Sequence, residues 1–226
     1  MGKENIFDIS LNFYKENISN NTRIKQLDIL SNILQDNFEF ITVRCIETGA
    51  SQNINDGCVG IFFNKLTEIS GGEFHTVDIN ENVINRSKDT YRSYNLKTNH
   101  HLKDSVKFLE ETNFVPNLVH LDSYDLDLKN PLPSMLHTWR EFKAIENKMP
   151  VGSIIIIDDN FFKGTWVSWN YPNGDSEKID IEYPIVGKGS LIYHYVESDE
   201  SNWVKLSEDT PGGNNKLVFK KINERK

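Results

Sequence analysis

A chain of 226 residues with 38% hydrophobic and 26% charged residues is long enough to bury one core and has a globular composition, not a disordered or collagen-like one. Its net charge of −8 argues against a non-specific nucleic-acid or anionic-membrane surface; the one basic run, Lys220, Lys221, Arg225 and Lys226, reads as a solvated terminus. Cys45 and Cys58 form neither a disulfide framework nor a zinc spacing, the charged start Lys3, Glu4 and Asp8 leaves no signal peptide, and no apolar run can span a bilayer, so a soluble cytoplasmic protein is expected.

Residues 6 to 38 read as two amphipathic helices, with Ile6, Ile9 and Phe13 and then Ile24, Leu27, Leu30 and Leu34 at helical spacing, separated by Asn17 to Thr22. From Phe40 the pattern becomes β-rich, and a strand ends in the glycine turn Thr48-Gly49-Ala50-Ser51 before a helix over Gly57 to Ser70. The alternation repeats. GEFHTVDI is a strand, Glu81 to Asn95 a helix, His100 to Leu102 a short strand, Ser105 to Thr112 a helix, NLVHLDSYD a buried strand, Ser134 to Asn147 a helix and SIIIIDDN the most hydrophobic strand. Strands alternating with helices predict an α/β fold, a Rossmann-like, doubly wound, mainly parallel sheet. After Asn160 the chain turns aromatic and glycine-rich, an expected lid, and SLIYHYVES with KLVFKKI predicts a C-terminal antiparallel hairpin that closes the sheet. Residues 1–39 are expected to form an N-terminal helical cap and 40–226 the main domain of one globular unit.

In such a sheet ligands bind outside the carboxyl ends of the strands. Those ends carry Glu47-Thr48-Gly49-Ala50-Ser51, Asp78, Asp104-Ser105, Asp122 and Asp158-Asp159-Asn160, five acidic strand ends on one edge. Gly49 lets a backbone approach a ligand, the following helix N-terminus offers N–H groups to a carboxylate, and Asp78, about thirty residues on, suits the two hydroxyls of a ribose. The three-glycine pyrophosphate fingerprint is absent, which disfavours NAD and FAD. Asp122, Asp158, Asp159 and Asn160 supply the oxygen-only ligands that Mg2+ or Mn2+ requires; the lesser alternative is that some of these aspartates only cap the following turns.

These residues resemble the class I S-adenosylmethionine-dependent methyltransferases, and within them the cation-dependent O-methyltransferases, over roughly Phe40 to Trp166. The resemblance implies that Glu47-Thr48-Gly49-Ala50-Ser51 holds the methionine part of S-adenosylmethionine, that Asp78 binds the ribose, and that Asp104 and Ser105 lie beside the adenine. Leu121-Asp122-Ser123-Tyr124-Asp125 resembles the fourth-strand motif of caffeoyl-CoA and catechol O-methyltransferases, in which the first aspartate ligates magnesium. Ile157-Asp158-Asp159-Asn160 resembles both their Asp-Asn pair, which implies Asp159 and Asn160 as ligands, and the paired acids of macrocin-type sugar O-methyltransferases, which implies Asp158 and Asp159. The chain departs from these families in having one glycine in the first motif and no lysine closely following Asp122.

The implied chemistry is positioning: a cation holds the acceptor hydroxyl in line with the methyl sulfonium, and a base removes its proton. Candidate bases are His100, His101, His120 and His137, with His137, just beyond the Asp122 loop, preferred. Aromatics between Phe161 and Trp169 are expected to wall the acceptor pocket, and the N-terminal helices to cover the site or form a homodimer face. The acceptor is expected to be a small molecule carrying a hydroxyl, a sugar or a natural product, and neither nucleic acid nor membrane. Rival readings are a non-catalytic nucleoside-binding module and a nucleotide-sugar oxidoreductase.

Overall fold

The computed structural model describes residues 3–52, 58–170, 176–198, 201–207 and 215–224. Gly57, Arg225 and Lys226 lie outside the described residues. Two helices come first, α1 (Lys3–Asn17) and α2 (Asn21–Asn37). Asn20 starts the second by accepting the Arg23 N–H at 3.1 Å, which satisfies one of the free amides of the first turn.

The alternating part follows as β1 (Arg44–Thr48), α3 (Gly60–Ser70), β2 (Glu73–Asp78), α4 (Glu81–Ser93), β3 (Asn99–Leu102), α5 (Ser105–Glu111), β4 (Leu118–Leu121), α6 (Leu132–Ile145) and β5 (Ile154–Ile157). Two small hairpins come next, β6 (Asn160–Phe162) paired with β9 (Ile185–Gly187), and β7 (Trp166–Asn170) paired with β8 (Ser176–Asp180). The chain closes with α7 (Ser190–Val196), β10 (Trp203–Lys205) and β11 (Leu217–Lys221). The main sheet has seven strands in the order β3-β2-β1-β4-β5-β11-β10, parallel from β3 to β5, with β11 antiparallel to β5 and β10 antiparallel to β11.

The isoleucine run of β5 explains why this strand sits centrally. Successive side chains point to opposite faces of a sheet. Ile154 and Ile156 join a core made with α1, α2 and α3, while Ile155 and Ile157 join a second core made with α5, α6 and α7. The sheet is therefore covered on both faces, as parallel strands require. Leu27, Leu30 and Leu34 of α2 pack in the same core as Cys45, Phe62 and Phe74, so the N-terminal helices share the sheet's hydrophobic interior.

One expected strand is a helix. In SLIYHYV the apolar residues fit period 2 and period 3.6 alike, but Ile192 and Val196, four apart, are the pair that is buried, and α7 lays them against α6. The antiparallel partner of β11 is instead Trp203–Lys205, in register Trp203 to Lys221.

Strand order reverses between β1 and β4: from β1 the chain moves outward to β2 and β3, then returns to β4 and β5 on the other side. Two loops leave that point in opposite directions and open a crevice at the strands' carboxyl ends.

Candidate active site

The crevice is a cleft of about 570 Å³. Gly49, Ala50 and Ser51 after β1, Asp78 at the end of β2, Asp104 and Ser105 at the start of α5, Asp122 after β4, and Asp158 and Asp159 after β5 all line it. Asp78 and Asp122 thus face one space, although two strands, β3 and β4, and the helices α4 and α5 separate them in the chain.

Glu47 and Thr48 stand behind this wall. Glu47 is fully buried, and its carboxylate accepts the Ser51 N–H at 3.3 Å, the Ser51 hydroxyl at 2.8 Å, the Thr76 hydroxyl at 2.9 Å and the Tyr91 hydroxyl at 3.4 Å. Its work is to hold the β1 turn in place from below. Gly49 has φ of +78°, and a Cβ there would lie 2.5 Å from the Asp122 carbonyl oxygen and 2.9 Å from the Ser123 nitrogen. The glycine is needed because the β1 and β4 turns touch, a reason different from the ligand approach expected of it.

Asp78 accepts the Ala50 N–H at 3.2 Å and the Asn80 N–H at 2.8 Å, tying the β1 and β2 turns together with its carboxylate still at the cleft. Asp104 caps α5 by accepting the Lys107 N–H at 2.9 Å. His137 lies beside this end of the cleft: one ring nitrogen is 3.0 Å from the Ser105 hydroxyl and 3.6 Å from Glu141, which also accepts the Ser123 hydroxyl at 2.6 Å. The Glu141 carboxylate holds the His137 pKa above its ordinary value. Tyr124, in the left-handed region at φ +60°, sets its ring 5.4 Å from that of His137. The histidine preferred as base therefore belongs to the Ser105 end of the cleft.

The opposite end holds the β4 and β5 carboxylates with two lysines that the sequence did not single out. The Lys188 ammonium, with a side chain 2% exposed, lies 2.7 Å from Asp122 Oδ1 and 2.9 Å from Asp159 Oδ2. Lys216, equally buried, is paired with Asp158. Burial lowers the pKa of Lys188, but the Asp122 and Asp159 charges outweigh it and hold the ammonium well above the usual lysine range. Burial raises Asp122, and Lys188 only partly offsets that rise. For Asp158 burial also raises the pKa, but Lys216 and then His120 overcome it and keep the group well below the usual carboxylate range. Arg23 of α2 also reaches the cleft.

His120 is 98% shielded in its side chain, sits 3.7 Å from Glu47 and 4.0 Å from Asp158, and packs on Phe63. Neither of its ring nitrogens has a hydrogen-bond partner among the described residues. His100 lies 3.2 Å from the Ser87 hydroxyl, and His101 pairs with His75 at 2.9 Å; neither histidine lines the cleft.

These residues do not fit the expected Mg2+ or Mn2+. Asn160 is buried and spent: its Nδ2 donates to the Ile157 and Asp158 carbonyls at 2.9 Å each, and its Oδ1 accepts the Gly189 N–H at 2.8 Å. Asp122 and Asp159 are joined by an ammonium. Ligand atoms of His120, Asp122 and Asp158 do come within 4.8 Å of one another, but a lysine is paired with each of these carboxylates, and the nitrogen ligand suits a hard oxygen-seeking ion poorly. The expected aromatic wall is also elsewhere. Phe162 is in the core and Trp166 is exposed under Lys178, while nothing is described of the Trp169 side chain.

Neither a protein-family model nor a curated protein matches the sequence. Solved structures do resemble it. The SAH-bound methyltransferase PaMTH1 of Podospora anserina has a TM-score of 0.56 at 11% identity, covering 96% of this chain and 88% of that one. A S-adenosylmethionine-dependent methyltransferase from Clostridium acetobutylicum gives 0.53 at 13% identity, over 88% of this chain and 91% of that one. An rRNA methylase from Streptococcus thermophilus gives 0.51 at 9% identity, over 85% and 93%. At such identities the likeness is one of fold: the chain has the Rossmann-like α/β fold on which these methyltransferases are built. Among the described residues no helix is long and apolar enough to cross a membrane.

Proposed function

We propose that this protein is a S-adenosylmethionine-dependent methyltransferase that methylates a hydroxyl group of a small molecule, a sugar or natural product. The observation that carries the reading is the single cleft at the strand-order reversal, where the Gly49 turn, Asp78 and Asp104-Ser105 stand on one side and Asp122 on the other. The similar structures that bind or use this donor support it, as does the missing pyrophosphate fingerprint.

In this reading the Ala50 and Ser51 turn would hold the methionine part, Asp78 the ribose hydroxyls, and Ser105 with His137 the adenine side. The donor supplies a methyl group already activated on a sulfonium, so the chain's own task is to orient the acceptor, take its proton and keep water out. Asp122 is the group that takes the proton. Burial raises its pKa toward the working range of a general base, and Lys188 fixes one of its oxygens so that the carboxylate is held in one orientation. Arg23, reaching the cleft from α2, would close part of its mouth. No divalent ion enters this scheme. The net charge of −8 favours a small acceptor over a polynucleotide, despite the rRNA methylase among the similar folds.

Calorimetric titration with S-adenosylhomocysteine tests the reading. Binding is expected, NAD is expected not to bind, and Asp78→Ala should weaken S-adenosylhomocysteine binding by about 10- to 100-fold through loss of charge-assisted hydrogen bonds. Methyl transfer from labelled donor to a panel of sugars and phenolic natural products should be lost by about 100-fold or more in Asp122→Asn with product binding intact. Tight NAD binding refutes the donor, and transfer unchanged in Asp122→Asn refutes the base.

A further inference from the structure

Lys188 is delivered to the rim by a purpose-shaped segment. Gly187, at φ +151°, passes so close to the turn between β5 and β6 that a Cβ there would lie 2.1 Å from the Asp159 carbonyl oxygen. The Lys188 N–H donates to that same carbonyl at 3.2 Å, and Asn160, anchored on the Ile157 and Asp158 carbonyls, grips the next amide at Gly189. The Ser190 hydroxyl closes the turn on the Gly187 carbonyl at 2.9 Å. Backbone placed this way aims one ammonium between two carboxylates. It reaches Asp122 Oδ1 at 2.7 Å, Asp159 Oδ2 at 2.9 Å and the Asp122 carbonyl at 3.4 Å, which accounts for all three N–H donors.

Each residue expected to ligate a metal thus has another occupation. Asp122 and Asp159 bind Lys188, Asn160 positions the turn that carries Lys188, and Asp158 binds Lys216. Asp122, Asp158 and Asp159 are matched in charge by Lys188, Lys216 and the Arg23 that shares their cleft. A divalent ion added to this arrangement meets ammonium groups at close range, and it gains no carboxylate that is not already paired.

We propose that the Lys188 ammonium is the resident cation of this site, standing between Asp122 and Asp159 where a divalent metal ion would bridge them, and that the protein works without such an ion. The proposal does not depend on methyl transfer, because it concerns only what lies between these carboxylates.

Titration with Mn2+, followed by the electron paramagnetic resonance of the free ion and by thermal unfolding, tests it without donor or acceptor. The wild type should show no saturable Mn2+ site up to about 1 mM and no change in Tm. Lys188→Met unites two unpaired carboxylates and should gain one Mn2+ site, bound about 10-fold or more tighter than anything in the wild type. Saturating Mn2+ should then raise its Tm by about 5 °C or more. Lys188→Arg keeps the positive charge and should remain without a site. Saturable Mn2+ binding to the wild type overturns the proposal, as does a folded Lys188→Met protein that gains no site. Should Lys188→Met fold only with Mn2+ present, the result supports it; should it fold under neither condition, the wild-type and Lys188→Arg titrations decide.

Discussion

Replacing Gly49 by alanine probes the contact that joins the two halves of the cleft. At φ +78° an alanine pays about 1–2 kcal/mol for the left-handed backbone. Its Cβ would also stand 2.5 Å from the Asp122 carbonyl oxygen, a backbone atom that cannot swing aside as a flexible side chain does. Relieving such an overlap adds about 1–3 kcal/mol. The sum, about 2–5 kcal/mol, lowers Tm by about 5–15 °C in a chain of this size. Gly71 is the internal control, with φ +71° and open space around its Cβ, so Gly71→Ala should lose only the left-handed share. Thermal unfolding of both variants, with titration of S-adenosylhomocysteine, separates the two effects. Gly49→Ala should be the less stable and should lose product affinity by about 10-fold or more, because the Asp122-Ser123 peptide has to move. If the two variants lose equal stability, the close approach of the β1 and β4 turns is not what demands the glycine.

Removal of the Glu47 carboxylate, in Glu47→Ala, leaves the Thr76 hydroxyl unpaired in the interior, takes one partner from Tyr91 and should cost about 2–5 kcal/mol, read by chemical denaturation; a wild-type midpoint would show that the carboxylate does not hold the turn. A pH effect follows from the His75–His101 pair, whose ring nitrogens lie 2.9 Å apart. Burial, then the neighbouring His75, His100 and Lys103, push His101 down to about 4 from its ordinary value near 6.5. A base depressed on folding binds fewer protons in the native state, so its stability is complete above pH about 6.5 and is lost as pH falls toward about 4. Tm should fall through that interval, and His101→Gln should fall less; parallel curves would refute the assignment.

Much of this architecture was legible because parallel strands buried on both faces must be apolar throughout, and each ends in a loop that the sheet aligns with its neighbours. The acids at Glu47, Asp78, Asp104, Asp122 and Asp158 could be placed at one edge from alternation alone. What each acid does there was not legible. Glu47 turned out to be fully internal because its acceptors bind Ser51, Thr76 and Tyr91, partners 4, 29 and 44 residues away. The helix α7 was not legible because Leu191, Ile192, Tyr193, Tyr195 and Val196 satisfy both periods until a facing helix selects one.

The lysines are the deeper omission, and the reason is physical. A lysine in sequence is taken to be solvated because an unpaired ammonium cannot be buried, so its burial depends wholly on carboxylates contributed by distant strands. Lys188 meets Asp122 across 66 residues, and Lys216 meets Asp158 across 58. The only local sign was the glycine on each side of Lys188, which marks a backbone pressed close to something. Oxygen-rich strand ends therefore specify that a positive charge is required there, but not its kind. An ion from solution and an ammonium from the same chain satisfy an identical set of aspartates, and the choice between them is made by whether a loop elsewhere in the fold can bring its own cation to the rim.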